Sequence, residues 1–201
     1  MKRTPVVLGA TLLVLGAGGA LLFSARRDAA EEKRRDELEY AARYDLDHGQ
    51  AAQALEKMKA LQQVDPSRQA LPGLLGRALV STGAPTEGVV ELDQAVATNP
   101  ADAEAYEYLG VARAQLGAAA EAKVALTKAL ELEPRRVSAW RRLAQVCLTT
   151  GDVKAATAAW GQALASADTA DRETIRTEAR TLLELAGKTD EARAFSTQEP
   201  R

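Results

Sequence analysis

The residue types that perform enzyme chemistry are scarce in this chain of 201 residues. The single histidine, His48, and the single cysteine, Cys147, are too few for a zinc site, a disulfide framework or a Ser-His-Asp apparatus. Aspartate and glutamate are plentiful, but they form no constellation with a base and a nucleophile. Glycine-rich motifs that bind phosphates or dinucleotides are missing as well. We therefore expect no catalysis, no cofactor and no metal site.

Side chains that recur at intervals of 34 residues, or twice that number, could instead recognise a protein partner. Three such sets are Tyr40, Leu74, Tyr108 and Arg142; Arg43 and Arg77; and Glu39, Glu107 and Arg141. Tyrosine and leucine offer apolar contact area, and the arginine fork fits a carboxylate. The pattern favours a protein partner with an aromatic or aliphatic anchor beside acidic residues.

Composition argues against other ligand classes. Lys and Arg total 26 against 28 Asp and Glu, so the net charge is −2, and aromatic residues make up 4% of the chain. Nucleic-acid-binding domains normally carry a basic excess, and those that stack bases need aromatic platforms. We expect no nucleic acid partner, and no small-molecule substrate is evident.

The elements that carry these side chains repeat with the same period. Prolines stand 34 apart at Pro66, Pro100 and Pro134, and glycines stand 34 apart at Gly49, Gly83, Gly117 and Gly151. Between them, apolar residues recur at i, i+3, i+4 and i+7, the spacing of one helix face. Glycine ends the first helix of each unit and proline stops the second. The chain is therefore predicted to be all-α, an α-solenoid of paired helices.

The units resemble the tetratricopeptide repeat, whose consensus places Trp-x2-Leu-Gly-x2-Tyr, then Ala-x3-Phe, then Pro. The third unit carries Tyr106, Leu109, Gly110, Ala122, Leu126 and Pro134 at these positions, and the fourth carries Trp140, Leu143, Ala144, Ala156 and Trp160. Both tryptophans and Cys147 are expected to be packing residues. Asp45 and Arg113 replace the packing tyrosine, which predicts looser helix pairing there.

The resemblance implies that the first helix of each pair lines a concave face that binds a partner protein. The residues predicted to lie there are Tyr40, Arg43, Leu74, Arg77, Tyr108, Arg141 and Arg142. The carboxylate clamp of chaperone-binding members also needs asparagines on this face. The single asparagine, Asn99, lies between repeats, which disfavours capture of a chaperone C-terminus.

The N-terminus predicts a membrane anchor over residues 1–25. Val6 to Phe23 is free of charge, and this run covers about 27 Å as a helix, close to the thickness of a bilayer core. A cleaved signal peptide is the alternative, with Gly18, Gly19 and Ala20 as small residues for a peptidase. We favour the uncleaved anchor.

The anchor predicts a single-pass protein of a bacterial inner membrane. Lys2 and Arg3 before the apolar run are typical of a signal that leaves the C-terminal domain in the periplasm. Basic residues after the run, from Arg26 to Arg35, favour the cytoplasmic alternative.

The domain prediction divides the rest of the chain into a connector, four repeats and a cap. Residues 26–34 form a charged helical connector, the repeats span 35–68, 69–102, 103–136 and 137–168, and capping helices with a tail span 169–201. A stacked array needs such a polar cap at its end.

Together these features predict a membrane-anchored scaffold or adaptor without enzymatic activity, serving an assembly of the bacterial envelope. One alternative is a structural protein that associates with itself and holds no client in the groove. Another is a secreted, soluble repeat module, if the N-terminus is cleaved.

Overall fold

The computed structural model describes residues 7–197, and side chains from residue 26 to residue 195. Within this range the chain forms ten helices. They are α1 (Val7–Asp47), α2 (Ala51–Val64), α3 (Leu71–Ser81), α4 (Pro85–Thr98), α5 (Ala103–Gln115), α6 (Ala119–Leu132), α7 (Val137–Thr149), α8 (Val153–Ser166), α9 (Thr169–Leu185) and α10 (Thr189–Thr197). Each predicted repeat contains one helix pair, α9 and α10 form a fifth pair, and the connector 26–34 is part of the continuous helix α1.

The turn inside each helix pair is built on glycine. Gly83 has φ +83°, a left-handed conformation that glycine adopts without steric cost. The following N–H, of Ala84, donates to the carbonyl of Leu79 at 2.9 Å, and the Gly83 N–H donates to Val80 at 3.2 Å. These two bonds form a Schellman motif. The equivalent turns at Gly49, Gly117, Gly151 and Gly187 have φ between 73° and 80°.

The first helices of the pairs form an inner layer, and the second helices form an outer one. Each first helix packs on the next, so that α1, α3, α5, α7 and α9 contact one another in sequence. Among the described residues, no two second helices make comparable contact. The outer helices are therefore farther apart than the inner ones, and the array curves with the first helices on its concave face.

Within a pair, glycine allows the two helices to approach closely. A Cβ added at Gly76 of α3 would lie 2.6 Å from Cγ of Leu92 on α4, and one added at Gly110 of α5 would lie 2.6 Å from Leu126 on α6. Real Cβ contacts are never so short, so the small residue and the large one interlock. This close approach explains why the repeat places a small residue on the first helix opposite a large residue on the second.

Trp160 is fully buried, which confirms its predicted role in packing. It lies in a core cluster with Ile175 and Leu183 of α9 and Phe195 of α10, and its ring meets that of Phe195 edge to face at 6.3 Å. The last helix pair thus covers the apolar end of the fourth one. Cys147 belongs to the same cluster, and burial raises the pKa of its thiol.

The two departures from the consensus tyrosine form ion pairs, one within a helix pair and one between neighbouring pairs. Asp45 of α1 is buried and accepts a hydrogen bond from Lys57 of α2. Arg113 of α5 donates to Asp93 of α4 at 3.0 Å. Within the first pair a charged contact therefore takes the place of the tyrosine packing, whereas Arg113 links its helix to the preceding pair.

The structure contradicts the predicted location in an inner membrane. Among the residues that the structure describes, none of the helices has the length and apolar character needed to cross a bilayer. Residues 1–25, on which the predicted anchor rested, lie outside those whose side chains are described.

Candidate functional site

The concave face contains a groove between the inner helices α1, α3 and α5. The groove encloses a cavity of about 460 Å³. Its small lining residues are Ala70, Gly73, Ala95 and Ala105, and they leave the space that larger side chains would fill. The spacing of the first helices along the array positions the remaining lining residues, which are mostly charged.

Arg77 of α3 lies at the centre of this groove and joins the three inner helices. Its guanidinium donates to Glu104 of α5 at 2.6 Å and to Asp47 of α1 at 2.8 Å. The same group lies over the ring of Tyr108, 5.2 Å from the ring centroid, in a cation–π contact. Burial works to lower the pKa of Arg77, but Glu104, Tyr108 and Asp47 outweigh it and raise the pKa above its ordinary value.

Arg68 occupies one end of the groove, in the loop before α3. Its guanidinium donates to Glu39 at 2.5 Å, to Glu32 at 3.1 Å and to Asp36, all on α1. Glu39 also accepts a hydrogen bond from Arg43 at 3.0 Å. Burial acts to raise the pKa of Glu39, but its hydrogen bonds with Arg68 and Arg43 outweigh burial, so the pKa lies below its ordinary range.

The contact between Glu39 and Arg68 has a counterpart two repeats later. Glu107 of α5 is buried and accepts from Arg136, which is also 29 residues ahead, and from Ser138 at 2.9 Å. In both cases a glutamate on a first helix binds the arginine that precedes the next first helix. The two pairs act as equivalent links between neighbouring repeats.

The C-terminal part of the concave face is arranged differently. Arg141 of α7 donates to Glu178 of α9 at 2.7 Å, and Gln145 donates to the same carboxylate at 2.7 Å. Arg142 is exposed and lines a separate depression of about 280 Å³ with Val111 of α5. Among the described residues, it makes no ion pair.

The structure brings four of the seven predicted site residues to one cavity: Arg43, Leu74, Arg77 and Tyr108. Tyr40 is 73% exposed and lies outside the cavity lining, while Arg141 and Arg142 line two other depressions. Asn99, which was expected to lie away from the face, also lines the groove, with its side-chain oxygen accepting from the N–H of Ala101 at 3.2 Å.

Among the groove residues that were missed from the sequence, Arg68 and Glu104 make ion pairs that join the inner helices. Arg68 had a signal, because it stands 68 residues, or two periods, before Arg136, and each of the two arginines follows a first-helix glutamate by 29 residues. Glu104 had none, because its contact with Arg77 depends on the distance between two helices of neighbouring repeats.

No group of His, Cys, Asp and Glu among the described side chains is arranged to hold a metal ion. His48 instead has its Nδ1 atom 2.7 Å from the Tyr44 carbonyl oxygen, and its ring stacks on that of Tyr44. The histidine therefore lies against the C-terminal end of α1.

One known protein family matches this chain. A tetratricopeptide repeat model matches residues 45–110 and 113–176, more than half of the chain. The chain belongs to the tetratricopeptide repeat family. Among curated proteins, none matches it.

Several solved tetratricopeptide repeat structures share the fold. A crystal structure of MamA has a TM-score of 0.61 at 22% identity, covering 77% of this chain and 90% of MamA. MamA from Desulfovibrio magneticus RS-1, residue 41 to its end, has a TM-score of 0.57 at 20% identity and covers 66% and 75%. The first repeat domain of Spaghetti (RPAP3), bound to the HSP90 peptide SRMEEVD, has a TM-score of 0.52 at 24% identity and covers 59% and 94%.

Proposed function

We propose that this tetratricopeptide repeat protein is a scaffold without enzymatic activity that holds a segment of a partner protein in the groove between α1, α3 and α5. Solenoids of this kind use their extended concave surfaces for binding. The membrane location was wrong, so the proposal includes neither an anchor nor an envelope assembly.

The observation that carries the proposal is the combination of side chains around one cavity. Tyr108 supplies aromatic surface beside the largely buried Leu74, Arg77 supplies a fixed charge, and the small residues beside them leave room for an incoming side chain. Aromatic and arginine residues are the types enriched at the energetic centres of protein interfaces.

A solved relative of the same fold provides further support. The repeat domain of Spaghetti was solved with a short peptide of HSP90, so this fold can bind a short peptide segment. The clamp of chaperone-binding members does not transfer to this chain. The described lining of the groove contains three arginines, one asparagine and no lysine, and all three arginines already have carboxylate partners.

The proposal can be tested with a photo-crosslinking amino acid at one of two positions in the full chain. Gln69 is exposed and lines the groove, whereas Val90 is exposed on the outer helix α4 and serves as the matched control. We expect partner adducts from position 69, fewer after Tyr108→Ala, and none specific to position 90.

Two other results would overturn the proposal. Adducts from position 90 alone would identify the outer face as the binding surface. Adducts from position 69 that contain only a second copy of the chain would favour the self-associating protein without a client.

A further inference from the structure

The arginines of the groove are already occupied by carboxylates of the same chain. Arg68 contacts four of them, Glu32, Asp36, Glu39 and Asp65, and Arg77 contacts Asp47 and Glu104. A carboxylate of an incoming segment would have to displace one of these partners. The groove therefore offers little to an acidic client, although its arginines suggested one from the sequence.

The accessible charge around the groove is negative. The side chains of Arg68 and Arg77 are 17% and 13% exposed, whereas those of Asp36 and Asp47 are 59% and 62% exposed. Arg43 shares Glu39, and Arg35 shares Glu32. Even with these two arginines included, six carboxylates face four guanidinium groups. Apart from Arg43, whose side chain is 47% exposed, the charged groups most open to a ligand are the carboxylates of Glu32, Asp36 and Asp47.

We infer that the segment held in this groove is basic, with lysine or arginine side chains that reach the exposed carboxylates. The inference rests on the proposed function and reverses the charge expected from the sequence. Long basic side chains bury their methylene stems on apolar surface and keep the charged end in water. Ala70, Gly73 and the ring of Tyr108 provide that surface. Asp36 and Asp47, which accept hydrogen bonds from the lining residues Arg68 and Arg77, provide the acceptors.

The test uses two fluorescein-labelled peptides of twelve residues that share a central Leu-Tyr pair. One has lysine and the other glutamate at the same alternate positions. Fluorescence anisotropy with the full chain at low salt measures both affinities. Charge complementarity predicts that the lysine peptide binds at least about tenfold more tightly and that its affinity falls as salt rises, because salt screens exposed charges.

Variants of the chain distinguish binding in the groove from nonspecific attraction of a basic peptide to an acidic protein. Asp36→Asn and Asp47→Asn should each weaken the lysine peptide about two- to fivefold, as expected for loss of a partly exposed charge at an interface. Glu121→Gln, which removes an exposed carboxylate on α6 outside the groove, should leave affinity unchanged. An equal loss in all three variants would overturn the inference.

The remaining outcomes distinguish this inference from the proposed function. Tighter binding of the glutamate peptide, weakened by Tyr108→Ala, would overturn the basic client but keep the groove as the binding site. Binding of neither peptide would overturn the inference. The adducts from position 69 would then decide whether the groove binds a partner at all.

Discussion

The two ends of the array differ in what they add to the apolar packing between successive helix pairs. At the C-terminal end, Trp160 is fully buried with Ile175, Leu183 and Phe195, so the last pair is held largely by apolar packing. Between α1, α3 and α5, buried residues such as Met58 and Leu75 form an apolar core as well, and Arg68 and Arg77 add ion pairs whose carboxylate partners remain in part exposed. Both ends use the same repeat geometry.

The difference separates stability from recognition. Burial of apolar surface contributes about 25 cal/mol for each Å² removed from water, and it leaves nothing accessible to a partner. Ion pairs near the surface contribute less, but they fix polar groups around an open groove. The apolar cores of both ends should therefore dominate the free energy of unfolding, and the groove should dominate binding.

The largest expected effect is that of Trp160→Ala on stability. Removing a fully buried tryptophan leaves a cavity and should lower the free energy of unfolding by about 3–5 kcal/mol. Denaturant unfolding followed by circular dichroism measures it. Val124→Ala, at an exposed site on α6, is the control and should stay within about 0.5 kcal/mol. Equal stability of the two variants would contradict the packing account.

Arg77→Ala should have the next largest effect. The change removes a guanidinium that links three inner helices and leaves Asp47 and Glu104 without it, which should cost about 1–3 kcal/mol of unfolding free energy. This differs from the small effect that an exposed arginine would have. Arg113→Ala, which breaks a single pair with Asp93, should cost less. The account of Arg77 as a link fails if the two losses are the same.

A smaller effect is expected in the pH dependence of stability. The folded-state pKa of Glu39 lies below its ordinary value of 4.5, so its ion pair stabilises the fold above that pH. This contribution is lost as pH falls through the folded pKa. The stability difference between wild type and Glu39→Gln should be constant at about pH 6 to 7 and shrink below 4.5.

Unfolding curves at a series of pH values measure the Glu39 contribution. Glu121→Gln removes an exposed carboxylate outside the groove and should show no such trend. A difference for Glu39→Gln that grows on acidification would reverse the sign and contradict the link to Arg68.

The smallest effect is expected from Tyr40→Ala. Its side chain is 73% exposed and lies outside the groove, so the change should alter stability by less than about 0.5 kcal/mol. It should also leave the adduct yield from position 69 unchanged, whereas Tyr108→Ala lowers it. A lower adduct yield with Tyr40→Ala would show that the binding surface continues along α1 beyond the groove.

Much of the fold followed from local chemistry. Glycine at a left-handed position ends each first helix, and small residues such as Gly76 meet large ones such as Leu92, so both the period and the packing positions were predictable. Each of these signals depends on residues within one helix pair. The burial of Trp160 followed from its consensus position in the repeat.

The candidate site was less predictable because its contacts cross between repeats. Arg77 was placed on the concave face from its repeat position, but its two carboxylate partners are 30 and 27 residues away on other helices. Arg141 pairs with Glu178, 37 residues away on α9, a contact that the repeat spacing does not indicate. Repeat spacing gives the face of a residue but not its partner.

The most direct test of the account measures amide hydrogen exchange in the full chain, with and without the partner recovered from position 69. The loops 65–70 and 99–102 contribute residues to the groove, whereas the equivalent loop 133–136 lies beyond it. We predict that the partner slows exchange in the first two loops and leaves the third unchanged. Slower exchange confined to the outer helices α4 and α6, with both groove loops unchanged, would contradict the account.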